Sequence, residues 1–157
     1  MMAMITIDYK DAEIIIQKIK EHVTNNSGIV SAAVVDCTGE LVHFMRMSGA
    51  PIGTVSLAIN KAYTAVRALL DTSELRNRDR NWQRQIGTYG DNRYTYIKGG
   101  VCIKIKKTAV SRITDESIIY GNKTEIIIGG IGVSGLSEDE DEKAALVGLN
   151  YYLKSKD

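Results

Sequence analysis

The chain is poor in the residues that usually announce a specialised site: one proline, one tryptophan, two cysteines and two histidines in 157 positions. With Pro51 alone, it holds no proline-rich linker and no low-complexity tract. Cys37 and Cys102 form no C-x-x-C pair and no second cluster, which argues against both a zinc knuckle and a disulfide framework. Both are expected as reduced thiols in the core. His22 and His43 lie far apart, outside any H-x-x-x-H or H-E-x-x-H spacing, so no metal site is assigned. Twenty basic and nineteen acidic residues leave a net charge of +1, without the global field that draws a protein to nucleic acid or to an anionic membrane. No apolar run approaches the roughly 20 residues of a membrane span, and residues 1–10 lack the pattern of a signal peptide. A cytoplasmic address is the default expectation.

Apolar residues make up 44% and charged residues 25%, ordinary values for a globular chain, and the length suits one domain covering 1–157. Ala12, Ile15, Ile16, Ile19 and Val23 recur at three- and four-residue steps, predicting a helix over 8–26. The nearly continuous apolar run 29–35 reads as a strand buried on both faces, and 41–47 as its return after a turn at 36–39. So short a connection predicts an antiparallel hairpin and excludes a Rossmann-like start. A second helix is predicted over 54–70, its stripe rich in alanine. From 71 to 96 the apolar period fails, and the stretch reads as loop with Trp82 and Ile86 as anchors of at most a short helix. It gathers Arg76, Arg78, Arg80, Arg84 and Arg93, either as a solvated surface or as a lip for anionic groups. Strands follow over 101–107 and 125–133, joined by an extended arm or protruding loop over 108–123. The last helix, 137–153, opens on a capping box of Ser137 and Glu140, and five consecutive acids sit where the helix dipole favours negative charge. The order α-β-β-α-(loop)-β-β-α builds an α+β fold, an antiparallel sheet flanked by helices in the profilin-like or PAS-like manner.

Three segments in this order resemble the GlcG/HbpS-like family, which also supplies the C-terminal domain of PduO-type proteins. They are Ala33-Val34-Val35-Asp36 with Gly39 and Arg46-Met47-Ser48-Gly49-Ala50; Ala58-Ile59-Asn60-Lys61-Ala62-Tyr63-Thr64-Ala65; and Gly129 to Gly135 followed by Asp141-Glu142, Ala145 and Gly148. The chain departs from the family where Ser48 replaces an aspartate of R-M-D-G-A and where Cys102 stands in place of the proline of G-G-x-P. Its 104–125 arm is also longer than the usual hairpin. The resemblance implies a homo-oligomer, some of whose relatives bind haem or corrinoid-related ligands. It makes His22, near the end of the first helix, an axial-ligand candidate; the alternative is a histidine that complements the helix dipole. His43, on a strand between Val42 and Phe44, reads as half-exposed.

Arg46 and Lys61 each interrupt an apolar or small-residue segment, where a charge must be paired or solvated. An anionic ligand would do this, and so would an internal partner such as Asp36 or Glu142. Asp36 reads first as a turn cap. The run Gly129 to Gly135 lacks the ending of a phosphate loop, so its glycines indicate close packing, with Gly132 and Gly135 giving room for a small ligand or a subunit neighbour. Ser134 lies in G-V-S-G, not in the G-x-S-x-G of a nucleophile elbow.

Three readings stay open. The first is an accessory module binding a small molecule, haem or a corrinoid-like tetrapyrrole, through His22, Arg46, Lys61, Gly132, Ser134, Gly135 and Glu142. The second is a cofactor-independent lyase or isomerase that anchors a small organic acid on Arg46 and Lys61, with Glu142 as acid or base. The third is a structural oligomer without a ligand.

Overall fold

The structure, a computed structural model, describes residues 4–110 and 120–157. Helix α1 (Tyr9–Asn25) starts at Asp8, whose carboxylate accepts from the Lys10 amide, and buries the predicted stripe Ala12, Ile15, Ile16, Ile19 and Val23. Strands β1 (Ser31–Asp36) and β2 (Leu41–Arg46) form the expected antiparallel hairpin. Asp36 caps its turn, one carboxylate oxygen accepting from the Thr38 amide, the Thr38 hydroxyl and the Glu40 amide. Helix α2 (Gly53–Ala68) ends where Leu69 turns left-handed. Strand β3 (Gly100–Lys106), a short strand β4 (Tyr120–Gly121), strand β5 (Glu125–Ser134) and helix α4 (Glu138–Lys154) complete the regular elements around one further helix, given below. The capping box of Ser137 and Glu140 is formed at the start of α4.

The sheet is antiparallel throughout in the order β2-β1-β5-β3, with β4 pairing the lower end of β5. Both faces of β1 are buried: Ala32 and Val34 pack beneath α1 and α4, Ala33 and Val35 beneath α2. In β5 the register against β3 slips beside Ile103, which pairs with Gly129 while Lys104 pairs with Ile127. That bulge resets the two-residue alternation, so Ile126, Ile128, Ile131 and Val133 all reach the α1/α4 core. The opposite face of β5 carries Ile127, packed on Ala65 of α2, and then Gly130 and Gly132, on which the α2 backbone lies directly.

Two expectations are corrected. Residues 71–96 are not mainly loop, because helix α3 (Thr72–Asn81) occupies the first part and a 3₁₀ turn (Ile86–Tyr89) follows. Its apolar period fails because its buried stripe, Thr72, Leu75 and Asp79, is two-thirds polar. Trp82 anchors nothing, being 69% exposed at the end of α3. The segment is fastened by polar contacts: Asp79 accepts from the hydroxyls of Tyr89 (2.8 Å) and Tyr96 (2.5 Å) and from Arg78 (3.0 Å). Tyr89 stacks on Tyr94 at 4.7 Å, and Tyr94 meets the Tyr63 ring of α2 edge-on at 6.0 Å. Of the predicted 108–123 arm, 111–119 lies outside the described residues. Cys37 and Cys102 are both free and buried, and burial pushes both thiols up.

Candidate functional site

Lys61 lies in the middle of α2 with no exposed surface, and its Nζ donates to the Val133 carbonyl at 2.7 Å and to Asp141 Oδ2 at 2.9 Å. The expected partners Asp36 and Glu142 are therefore both displaced by Asp141. Asp36 is engaged in its own turn, whereas Asp141 belongs to the buried stripe of α4 with Ala144, Ala145, Gly148 and Tyr152. The other Asp141 oxygen accepts from the Leu136 amide at 3.0 Å. One ion pair thus ties α2, the end of β5 and the first turn of α4. Burial lowers the Lys61 pKa and raises that of Asp141, while their mutual hydrogen bond acts against both shifts. Buried and paired with Asp141, Lys61 presents no exposed charge to a ligand in this arrangement.

The glycines explain why α2 can come so close. A Cβ on Gly132 would collide with the Ala58 carbonyl, one on Gly130 with that of Ala62 and one on Gly100 with that of Lys61. The space beside Gly132 is filled by the α2 backbone, and that beside Gly135, at φ +143°, by the Ile29 carbonyl. Neither glycine opens room for a ligand here. Ser134 is buried at the end of β5 and pairs in register with Ser31, whose hydroxyl meets that of Thr54 at 2.8 Å.

Arg46 is exposed at the end of β2, and its Nε and a terminal nitrogen both donate to the Ala50 carbonyl, at 3.1 and 2.7 Å. Ser48 puts no carboxylate beside it, so the guanidinium closes the 47–50 turn and faces water. His43 is half-buried on β2. Glu142 is half-buried in α4, and one of its carboxylate oxygens is buried without a hydrogen-bond partner among the described residues. Its charge is felt by Asp71, whose carboxyl is pushed up by burial first and by Glu74 and Glu142 in addition. Asp71 caps the sheet edge by accepting from the Cys102 amide at 2.8 Å. That donor exists only because residue 102 is not proline.

His22 stands apart from all of these, in the last turn of α1. It lines a cleft of about 90 Å³ between the end of α1 and the start of α4, with Val23, Asn26, Leu136, Glu140 and Lys143. The seven sequence candidates are therefore not one constellation. Lys61, Gly132 and Ser134 belong to the seam between α2 and the sheet, Arg46 to the end of β2, Gly135 to the loop before α4, Glu142 to the half-buried side of α4, and His22 to the α1/α4 seam. Sequence reasoning missed Asp141, although its position three, four and seven residues before Ala144, Ala145 and Gly148 marks it as inward-facing. It also missed Asp79, seven residues after Thr72 on the same helix face.

Among solved structures, the chain is similar to Klebsiella pneumoniae protein ORFY, with 23% identity, a TM-score of 0.74 and coverage of 94% of this chain and 90% of that one. A double mutant of Streptomyces reticuli HbpS aligns at 24% identity and a TM-score of 0.72, covering 93% and 86%. The PduOC:heme complex aligns at 21% identity and a TM-score of 0.72, covering 92% and 94%. At these identities the likeness establishes the fold alone, an α+β sandwich of open antiparallel sheet and flanking helices. No curated protein matches the sequence. The sequence model of the haem-degrading, HbpS-like proteins matches residues 7–114, more than half of the chain, and the chain belongs to that family.

Proposed function

We propose that the protein is an accessory module that binds a tetrapyrrole, haem in the first instance, with His22 as the axial ligand. The observation that carries this reading is the placement of His22: a partly accessible imidazole in a cleft lined by Val23 and Leu136 and by the polar Asn26, Glu140 and Lys143. Such a cleft suits one edge of an apolar macrocycle, and Lys143 suits a carboxylate on that edge. Membership of the haem-degrading, HbpS-like family and the fold shared with the PduOC:heme complex support it. Bound haem would supply an iron with an open coordination position; this chain would supply the imidazole, the apolar wall and the cation.

A space of about 90 Å³ takes only part of such a ligand. The exposed remainder calls for a second surface, and a second copy of the chain fits the family. The reading is tested by titrating purified protein with haem and, separately, with cobalamin. A saturable change in the haem absorption spectrum that His22→Ala abolishes is the expected result. An unchanged spectrum, or an equal change in His22→Ala, overturns the assignment. A spectral shift with cobalamin alone would move it to corrinoids.

The organic-acid enzyme loses support at one of its two anchors, since Lys61 is fully buried and its charge is paired with Asp141. The Glu142 oxygen that is buried without a hydrogen-bond partner among the described residues is the feature that still favours it, and turnover of an acid that Glu142→Gln abolishes would revive it.

A further inference from the structure

We propose that strand β2 is an interaction surface for a second copy of the chain: two β2 strands pair antiparallel across a two-fold axis and join two sheets into one. This pairing needs neither haem nor His22.

The sheet has two outer strands, and the fold closes only one of them. On β3, the start of α3 covers the edge. Asp71 accepts from the Cys102 amide at 2.8 Å, and the Thr72 hydroxyl accepts from the Gly100 amide at 3.2 Å and donates to the Gly100 carbonyl at 3.4 Å. On β2 nothing does this. The strand is last in the order β2-β1-β5-β3, and among the described residues no group from outside the hairpin and its turn bonds its backbone.

The ladder shows which groups are left over. The Met47 amide donates to the Val30 carbonyl at 3.0 Å, and the register continues through Ala32 with Met45 and Val34 with His43 before the bulge at Val34/Val35. In an antiparallel ladder every second residue spends its backbone groups on its neighbour, so Phe44 and Arg46 turn theirs away from β1. Unpaired amides and carbonyls on an outer strand are a template for another strand unless lysine, proline or a covering element blunts them. Leu41–Arg46 contains neither lysine nor proline, and Leu41 at its start is 48% exposed.

Charge selects the occupant. Glu40 at the head of β2 and Arg46 at its tail are both exposed, and neither makes an ion pair among the described residues. Arg46 is already held in place, because its Nε and one terminal nitrogen donate to the Ala50 carbonyl. Antiparallel pairing of β2 with itself sets the acid of each copy toward the base of the other, twice by symmetry, whereas parallel pairing would set like against like. A second copy thus supplies both the backbone partners and the complementary charges.

The test uses the haem-free protein, with mass read by sedimentation equilibrium and the edge itself by amide hydrogen exchange. The wild type is expected to associate. E40K and R46E each set like charges together at both ends of the paired strands, and each is expected to dissociate at least tenfold more readily. An equimolar mixture of the two variants should associate as the wild type does, because each carries the charges that the other lacks. The Phe44 and Arg46 amides should exchange slowly in the wild type and fast in E40K. A monomeric wild type, single variants that associate as tightly as the wild type, or a mixture that stays dissociated would each overturn the pairing. Equally fast exchange of the two amides in the wild type and in E40K would overturn it as well, by placing the contact elsewhere than on β2.

Discussion

Lys61 and Asp141 show how a single pair of residues holds three elements together. Lys61 is 0% exposed and the Asp141 side chain 4%, so each charge was taken out of water and is compensated only by the other and by backbone groups. A buried pair of this kind adds little net stability over a well-packed apolar pair, yet removing one partner strands the other. Lys61→Met is therefore expected to cost about 3–5 kcal/mol, read from the midpoint of urea denaturation, because Asp141 is left buried without its counter-charge. The double variant Lys61→Met/Asp141→Leu should recover much of that loss. Equal stability of the single variant and the wild type would show that the pair contributes nothing. The charge in the alanine-rich helix was legible in the sequence, but its partner was not: Asp141 stands among five consecutive acids, all consistent with the helix dipole, and only its place on the inward stripe sets it apart.

At the scale of elements, α2 and β5 meet backbone to backbone, and the glycine run of β5 is the reason. Gly132→Ala puts a methyl group onto the Ala58 carbonyl, and neither a strand at the sheet centre nor a helix middle can give way cheaply. The variant is expected to lose cooperative folding or to melt well below the wild type in a thermal scan followed by circular dichroism. Gly53→Ala, where a Cβ meets nothing within 4 Å, serves as the tolerant control.

Helix α3 and the segment after it depend on a different bond type. Asp79 is fully buried, and although burial opposes ionisation, the hydrogen bonds from Tyr96, Tyr89 and Arg78 hold its carboxyl below the ordinary 3.8. A carboxyl depressed on folding contributes stability that is present above its unfolded pKa and is lost as pH falls through the folded value. The tyrosine contacts are thus expected to loosen in acid, below about pH 4, seen as loss of the near-ultraviolet tyrosine signal. Asp79→Asn should be less stable at neutral pH and show a smaller acid loss. An unchanged acid profile in that variant would exclude Asp79 as the group responsible.

For the whole molecule, the sandwich leaves the α1/α4 seam facing outward, and the proposed haem contacts lie along it. The His22 cleft covers only an edge of a tetrapyrrole, so the tetrapyrrole reading expects more than one copy in the functional particle. Light scattering should return a mass of at least two chains, and haem should shift the distribution toward the larger species. A strictly monomeric mass with and without haem would remove the shared site. Among the described residues no helix is long and apolar enough to cross a membrane.

The sequence by itself determined helices α1, α2 and α4, the antiparallel hairpin, the capping of α4 and the faces that α1 and α2 bury, because periodicity and end caps are local and repeat within a few residues. Only the tertiary structure decided that Asp141 answers Lys61 across 80 positions. It also decided that Asp79 orders a stretch with no apolar period, and that Arg80 and Arg84 alone of five arginines face water without an ion-pair partner among the described residues. Those outcomes depend on which charges packing removes from water, and desolvation is a property of the assembled fold that no local pattern contains.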